Sequence, residues 1–161
     1  MMNHVIHVAN MNLHYARVHV EDIPPEQMCL QPRPQVNHPA WILGHITLAY
    51  AGAGALLGVE CALPEQWQTL FAFWEEPCPD PAAHPSKDDL WAAYERCHGL
   101  VTSALPGASA ELLASPLEDE MMSRVFPTSG DMITAVLTIH EGVHLGQLSA
   151  WRRQMGMALH I

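Results

Sequence analysis

Four stretches of the chain carry apolar residues at steps of three and four, the period of an α-helix. The first covers residues 2 to 20, with Ile6, Ala9, Leu13, Ala16 and Val20 on one stripe and His4, His7, Met11, His14 and Val18 opposite. Pro24-Pro25 ends it. The second opens with Asn37 as N-cap and Pro39 in its first turn, both favoured there. It runs to Leu57 with Trp41, His45, Leu48, Gly52 and Ala55 on one stripe. The third starts at Ser86, has Asp88 and Asp89 in a first turn that favours carboxylates, and stops at Pro106-Gly107. The fourth starts at Thr128 or Ser129. It aligns Ile133, Leu137, Leu148 and Trp151, and Gly156 is placed to end it.

The connections are uneven. Residues 24 to 36 hold four prolines, too long a link for a tight helical hairpin, which favours a diagonal placement of the second helix relative to the first. Residues 58 to 85 are proline-rich around a short turn bearing Trp67, Phe71, Phe73 and Trp74, aromatics suited to a lid over the bundle. Residues 108 to 127 give a short helical piece and an irregular segment whose Glu118, Asp119 and Glu120 read as a solvated run. The pattern is all-α, in one domain over residues 1–161, with no internal repeat.

Composition narrows the partners. About half of the 161 residues are apolar, enough for a globular core. Net charge is -10, and the seven Lys and Arg form no basic patch. That argues against nucleic acid and anionic membranes as partners, and does not by itself select a small-molecule substrate. Cys29, Cys61, Cys78 and Cys97 contain no C-x-x-C pair, and no leader-like segment precedes them. They read as reduced thiols of a cytoplasmic protein, mostly small buried hydrophobes. No apolar run reaches membrane-spanning length.

The chemistry concentrates in the last helix. His140 and His144 are four residues apart, so both imidazoles leave one face and can reach one point, which is transition-metal ligand spacing. The stretch also spells H-E-x-x-H, a zinc-protease signature. The residues after His144 contain no Asp or Glu, however, and the longer form of that motif would need Gly at 147 and His at 150, where the chain has Gln147 and Ala150. A third ligand must then come from upstream. His45, alone on a core-facing stripe of the second helix, is the natural one. Glu141 projects about 100° from His140 and reads as an exposed helix residue, with support of the metal ligands or a general-base role as the alternative. Gln147 lies near the His144 side and would orient a ligand or pack between helices. His98 reads as structural. With no metal at all, the three imidazoles would be core polar groups satisfied by one another, by Gln147, by Asn37 or by backbone.

Two motifs together carry a resemblance. Asn37, Trp41 and His45 spell N-x-x-x-W-x-x-x-H, and His140, His144, Gly146 and Gln147 spell H-x-x-x-H-x-G-Q. On these residues, and on length and helix order, the chain resembles the DinB/YfiT-like superfamily of bacterial four-helix-bundle proteins. The resemblance implies an up-down-down-up bundle with a long crossover between helices 1 and 2. It implies a Zn or Ni ion on His45, His140 and His144, and a homodimer. It also implies either a transferase using a low-molecular-weight thiol (bacillithiol, mycothiol or glutathione) or a metal-assisted hydrolase. Glu141 and Gln147 are the catalytic candidates. A metal-binding bundle with a structural or interaction role is the non-enzymatic alternative.

Overall fold

A computed structural model of the chain describes residues 2–34, 36–73 and 76–158. Four long helices dominate: α1 (Met2–Val20), α2 (Pro39–Leu56), α3 (Lys87–Ala104) and α4. The last runs unbroken from Ser129–Ala135 through a π turn at Val136–His140 into Glu141–Gln154. Short turns lie between them at Pro25–Gln27, Trp67–Leu70, Pro81–Ala83, Ala110–Ala114 and Glu120–Ser123.

The helix ends follow local chemistry. Ser86 Oγ accepts the Asp89 N–H at the start of α3. Thr128 and Asp131 form a reciprocal capping box at the start of α4, which satisfies two otherwise orphaned N–H groups. Gly156, at φ 71°, takes the left-handed conformation that ends α4. The cap of α2 differs from expectation. His38, not Asn37, is the N-cap, its Nδ1 accepting the Trp41 N–H at 3.1 Å. Asn37 is thereby free to reach α4.

Cross-helix bonds give the directions. Asn12 meets Glu141 while the His19 carbonyl meets Arg152, so α1 and α4 run parallel. Arg17 pairs with Glu95, and Lys87 Nζ reaches the carbonyls of Glu21 and Ile23, so α3 runs against α1. Asn37 bonds Gln147 and Tyr50 bonds Glu141, so α2 runs against α4. The order is up-down-down-up, with α2 packed most extensively on α3 and α1 diagonal to α2. Among the described residues there is no strand beyond the isolated bridge between Pro116 and Thr128. No helix among them is long and apolar enough to cross a membrane.

The core comprises Ala9, Ala16 and Val20 of α1, most of α2, Leu90, Tyr94, Cys97 and Val101 of α3, and Ile133, Leu137, Leu148 and Trp151 of α4. The expected single stripe on α2 is not what is buried. Pro39 through Thr47 are buried on every side, whereas Leu48 and Gly52 are half-buried and Ala55 is exposed. The connections account for this. Met28 O takes the Ala40 N–H, and the Phe71 ring lies where a side chain on Gly44 would stand, 2.4 Å from an ideal Cβ. Trp67 and Phe71 are thus core residues and Phe73 is exposed. Trp74, the fourth aromatic of the expected lid, lies outside the described residues.

Arg152 locks α4 to the end of α1. Its guanidinium is fully buried, grips Asp22 through both oxygens at 2.5 and 2.9 Å, and donates to the carbonyls of His19 and Ala158. Arg152→Ala is expected to destabilise the fold by about 2–4 kcal/mol, since it orphans buried carbonyls while Asp22 can still turn to water. Urea denaturation reads this directly.

Candidate metal centre

Three imidazoles meet between α2 and α4. His45 Nε2 stands 3.2 Å from His140 Nε2, and one ring nitrogen from each of His45, His140 and His144 lies within 4.8 Å of the others. Ring centroids are 5.1 Å apart for His45–His140, 4.7 Å for His45–His144 and 4.6 Å for His140–His144. The expected convergence of His45 on the α4 pair is therefore present in space. The row of His4, His7 and His14 is exposed on α1. His98 is buried against Tyr50 and Tyr94, away from the cluster.

The surroundings fix where the lone pairs point. The His45 Nδ1–H donates to the Phe71 carbonyl at 2.8 Å, so its Nε2 is the basic nitrogen. The Phe71 carbonyl is held there by the ring that covers Gly44. Trp41, one turn earlier, stacks on His45 with centroids 4.5 Å apart and planes 8° off parallel. On the other helix the His144 Nδ1–H donates to Gln147 Oε1 at 3.0 Å, and the same oxygen takes Asn37 Nδ2 at 2.9 Å. Two imidazoles thus have their outer N–H pinned to an oxygen, the arrangement that orients metal-binding histidines.

Electrostatics agree. Burial lowers the basicity of all three. His140 falls to about 3, helped down by His144 and His45, and His144 to about 4, helped down by His45; His45 is lowered as well. They are neutral at neutral pH, the form in which imidazole binds metals. Without an ion, His140 can donate its Nε2–H to the bare Nε2 of His45 at 3.2 Å; with that proton on Nδ1 instead, both Nε2 lone pairs face the same point and can hold a cation. Ligand nitrogens 2.0–2.1 Å from a tetrahedral ion stand about 3.3–3.4 Å apart, so the donor set fits a divalent metal. His45 and His144 are each 6% exposed, and His140 is half-buried.

Glu141 is the largest departure from the sequence reading. It is fully buried, not exposed. Its carboxylate accepts from the hydroxyls of Tyr94 and Tyr50 and from Asn12 Nδ2. Burial raises its pKa to about 7 against the lowering effect of those hydrogen bonds. The reason lies in the bundle: α4 packs on both α1 and α2, so the side 100° from His140 faces α1 and the core rather than water. A π turn ends at His140, and such turns recur at functional sites. The parts played here by Phe71, expected only as a lid aromatic, and by Gly44, Tyr50, Tyr94 and Asn12 depend on a carbonyl, a close approach and long-range hydroxyl and amide contacts, none of which has a local motif.

Comparison with known proteins agrees with the fold. The DinB superfamily model matches residues 9–148. No curated protein matches the chain. A conserved protein of Enterococcus faecalis is similar in structure, with a TM-score of 0.75 at 18% identity over 97% of this chain and 98% of that one. YfiT from Bacillus subtilis, described as a probable metal-dependent hydrolase with an unusual four-helix bundle topology, is similar with a TM-score of 0.67 at 14% identity, over 97% of this chain and 88% of that one. With the family model spanning most of its length and the bundle in the expected order, the chain belongs to the DinB superfamily.

Proposed function

We propose that the chain is a divalent-metal-dependent hydrolase of small molecules in which His45, His140 and His144 hold a Zn or Ni ion. The observation that carries this reading is the convergence of one ring nitrogen from each of His45, His140 and His144 within 4.8 Å, with the outer N–H of His45 and of His144 each held by an oxygen. The description of YfiT favours hydrolysis over the thiol-transferase reading. When bound, the ion would supply Lewis acidity at a coordination position that three imidazoles leave free. The protein's own residues do the rest. Trp41 and the Phe71 carbonyl hold His45, and Gln147, steadied by Asn37, holds His144. Gln147 Oε1 already accepts two bonds and Glu141 is committed to two hydroxyls and an amide, so both serve as positioning residues. Reduced cysteines favour a cytoplasmic protein. Exposed Val8 and Met11 on α1, with Ile139 and Val143 on the adjoining α4, favour a homodimer.

The test is metal content of purified wild type and His144→Ala in parallel, followed by assay of the metal-loaded protein on ester, amide and phosphoester substrates. The expected result is one divalent equivalent lost in the variant, together with hydrolysis that requires the metal. Turnover only when bacillithiol, mycothiol or glutathione is added with an electrophile would replace hydrolysis by thiol transfer. Equal metal content in both proteins would remove the metalloenzyme reading.

A further inference from the structure

A second cluster of metal-ligating side chains lies apart from the triad, where the two long connections meet the start of α2. One ring nitrogen of His38, one of His84 and the Cys29 sulfur lie within 4.8 Å of one another. They come from three separate segments. Cys29 follows the Pro25–Gln27 turn in the crossover, His38 caps α2, and His84 ends the Pro81–Ala83 turn before α3.

Hydrogen bonds again set the lone pairs. The His84 Nδ1–H donates to the Asp80 carbonyl at 3.0 Å, which leaves Nε2 basic. That Nε2 is shielded from solvent and has no hydrogen-bond partner among the described residues. A buried acceptor without a donor is the exception in folded proteins and needs a reason, such as an ion. The His38 Nε2–H donates to the Cys78 carbonyl at 2.9 Å, which leaves Nδ1 basic. Nδ1 takes the Trp41 N–H at 3.1 Å, a single helix-cap bond that is weak beside a metal–imidazole bond and would yield to one. Cys29 is 7% exposed and in no disulfide. In both imidazoles a backbone carbonyl holds the outer N–H, as it does for oriented metal ligands. One thiol with two imidazoles is a borderline-soft donor set that favours Zn2+ and its relatives over Mg2+ or Ca2+.

We propose that Cys29, His38 and His84 form a second, structural site for a Zn2+-like ion, which clasps the crossover and the α2–α3 connection onto the start of α2. On binding, the Cys29 thiol releases its proton to solvent and both imidazoles bind neutral, so one proton leaves per ion. Cys78, whose backbone carbonyl holds the His38 ring, brings a second thiol-bearing residue to the same region. The Phe71 ring, whose backbone carbonyl holds His45, also lies 5.8 Å from the His84 ring, so the clasp borders the support of the triad.

Cobalt(II) titration of the chelator-stripped full chain tests this. The triad contains no sulfur, so a near-ultraviolet thiolate-to-cobalt charge-transfer band reports the second cluster alone. Wild type and His144→Ala are both expected to develop the band, saturating near about one Co2+ per chain at this site. Cys29→Ser is expected to lose the band while the triad still takes up cobalt. His84→Gln, a change on a half-buried turn that the fold should tolerate, is expected to shift the titration to at least about 10-fold higher cobalt. No band in wild type at saturating cobalt, or an undiminished band in Cys29→Ser, would overturn the proposal. A triad that took up no cobalt beside a normal band would sink the proposed function and leave this site standing.

Discussion

Stripped of metal and retitrated, His45→Ala is expected to take up no ion at the triad, whereas Gln147→Ala is expected to bind about 10–100-fold more weakly than wild type. The gradation follows from what each side chain does. His45 supplies one of three converging nitrogens and is the sole contribution of α2 to the cluster, so without it the site loses the bond that ties α2 to α4. Two imidazoles one turn apart on a single helix then remain, a weak site by donor count. Gln147 supplies no nitrogen to the cluster. Its oxygen holds the His144 tautomer and is itself held by Asn37. Its removal leaves the donor set intact but frees the His144 ring and permits the wrong tautomer. Asn37→Ala should produce a smaller loss in the same direction, because Gln147 then keeps only its bond to His144. Calorimetric titration of zinc into the three variants gives the order. Equal affinities for wild type and Gln147→Ala would mean that His144 is oriented by packing alone.

Much of this is legible in the sequence alone. The four long helices, their caps at Ser86 and Thr128, the stop at Gly156 and the diagonal placement of α2 all follow from periodicity, turn chemistry and connector length. The meeting of His45 with His140 and His144 was legible too, because helical spacing puts each imidazole on a core-facing stripe. What escaped has a common physical cause. A stripe assigned at 100° per residue assumes one buried direction, but α4 packs against two neighbours and the first half of α2 is covered on every side. Glu141 and the residues from Pro39 to Thr47 were misread for that reason. The choice between Asn37 and His38 as N-cap turned on tertiary contacts that pull Asn37 to Gln147. The second cluster has no sequence signature because its ligands stand on two irregular connections and a helix cap, where no helical period aligns them, and four cysteines without a C-x-x-C pair read as ordinary buried thiols.

Glu141→Ala is expected to be the most destabilising single change near the site, by about 3–5 kcal/mol, because it strands the hydroxyls of Tyr50 and Tyr94 and the Asn12 amide in or beside the core at about 1–3 kcal/mol for each buried group. That is a large share of the roughly 5–15 kcal/mol that holds a typical domain together. Glu141→Gln keeps the shape and part of the bonding and should lose much less. The pair also yields a pH signature in the metal-free protein. Burial raises the Glu141 pKa from 4.5 to about 7. Between those values the native state keeps the proton that the unfolded state has released, so the native state binds more protons there and stability must fall as pH rises. Above about 7 both states are ionised and the contribution is flat; below 4.5 both are protonated and it vanishes. A shift of this size corresponds to about 3 kcal/mol. The imidazoles act in the opposite sense, since their lowered pKa values make stability rise with pH up to about 6.5. Wild type and Glu141→Gln share that part, so the difference between their urea midpoints from pH 4.5 to pH 7.5 isolates the carboxyl. Wild type should lose ground to Glu141→Gln across this range, and a constant difference would mean that Glu141 is already ionised in the fold, held as a carboxylate by Tyr50, Tyr94 and Asn12.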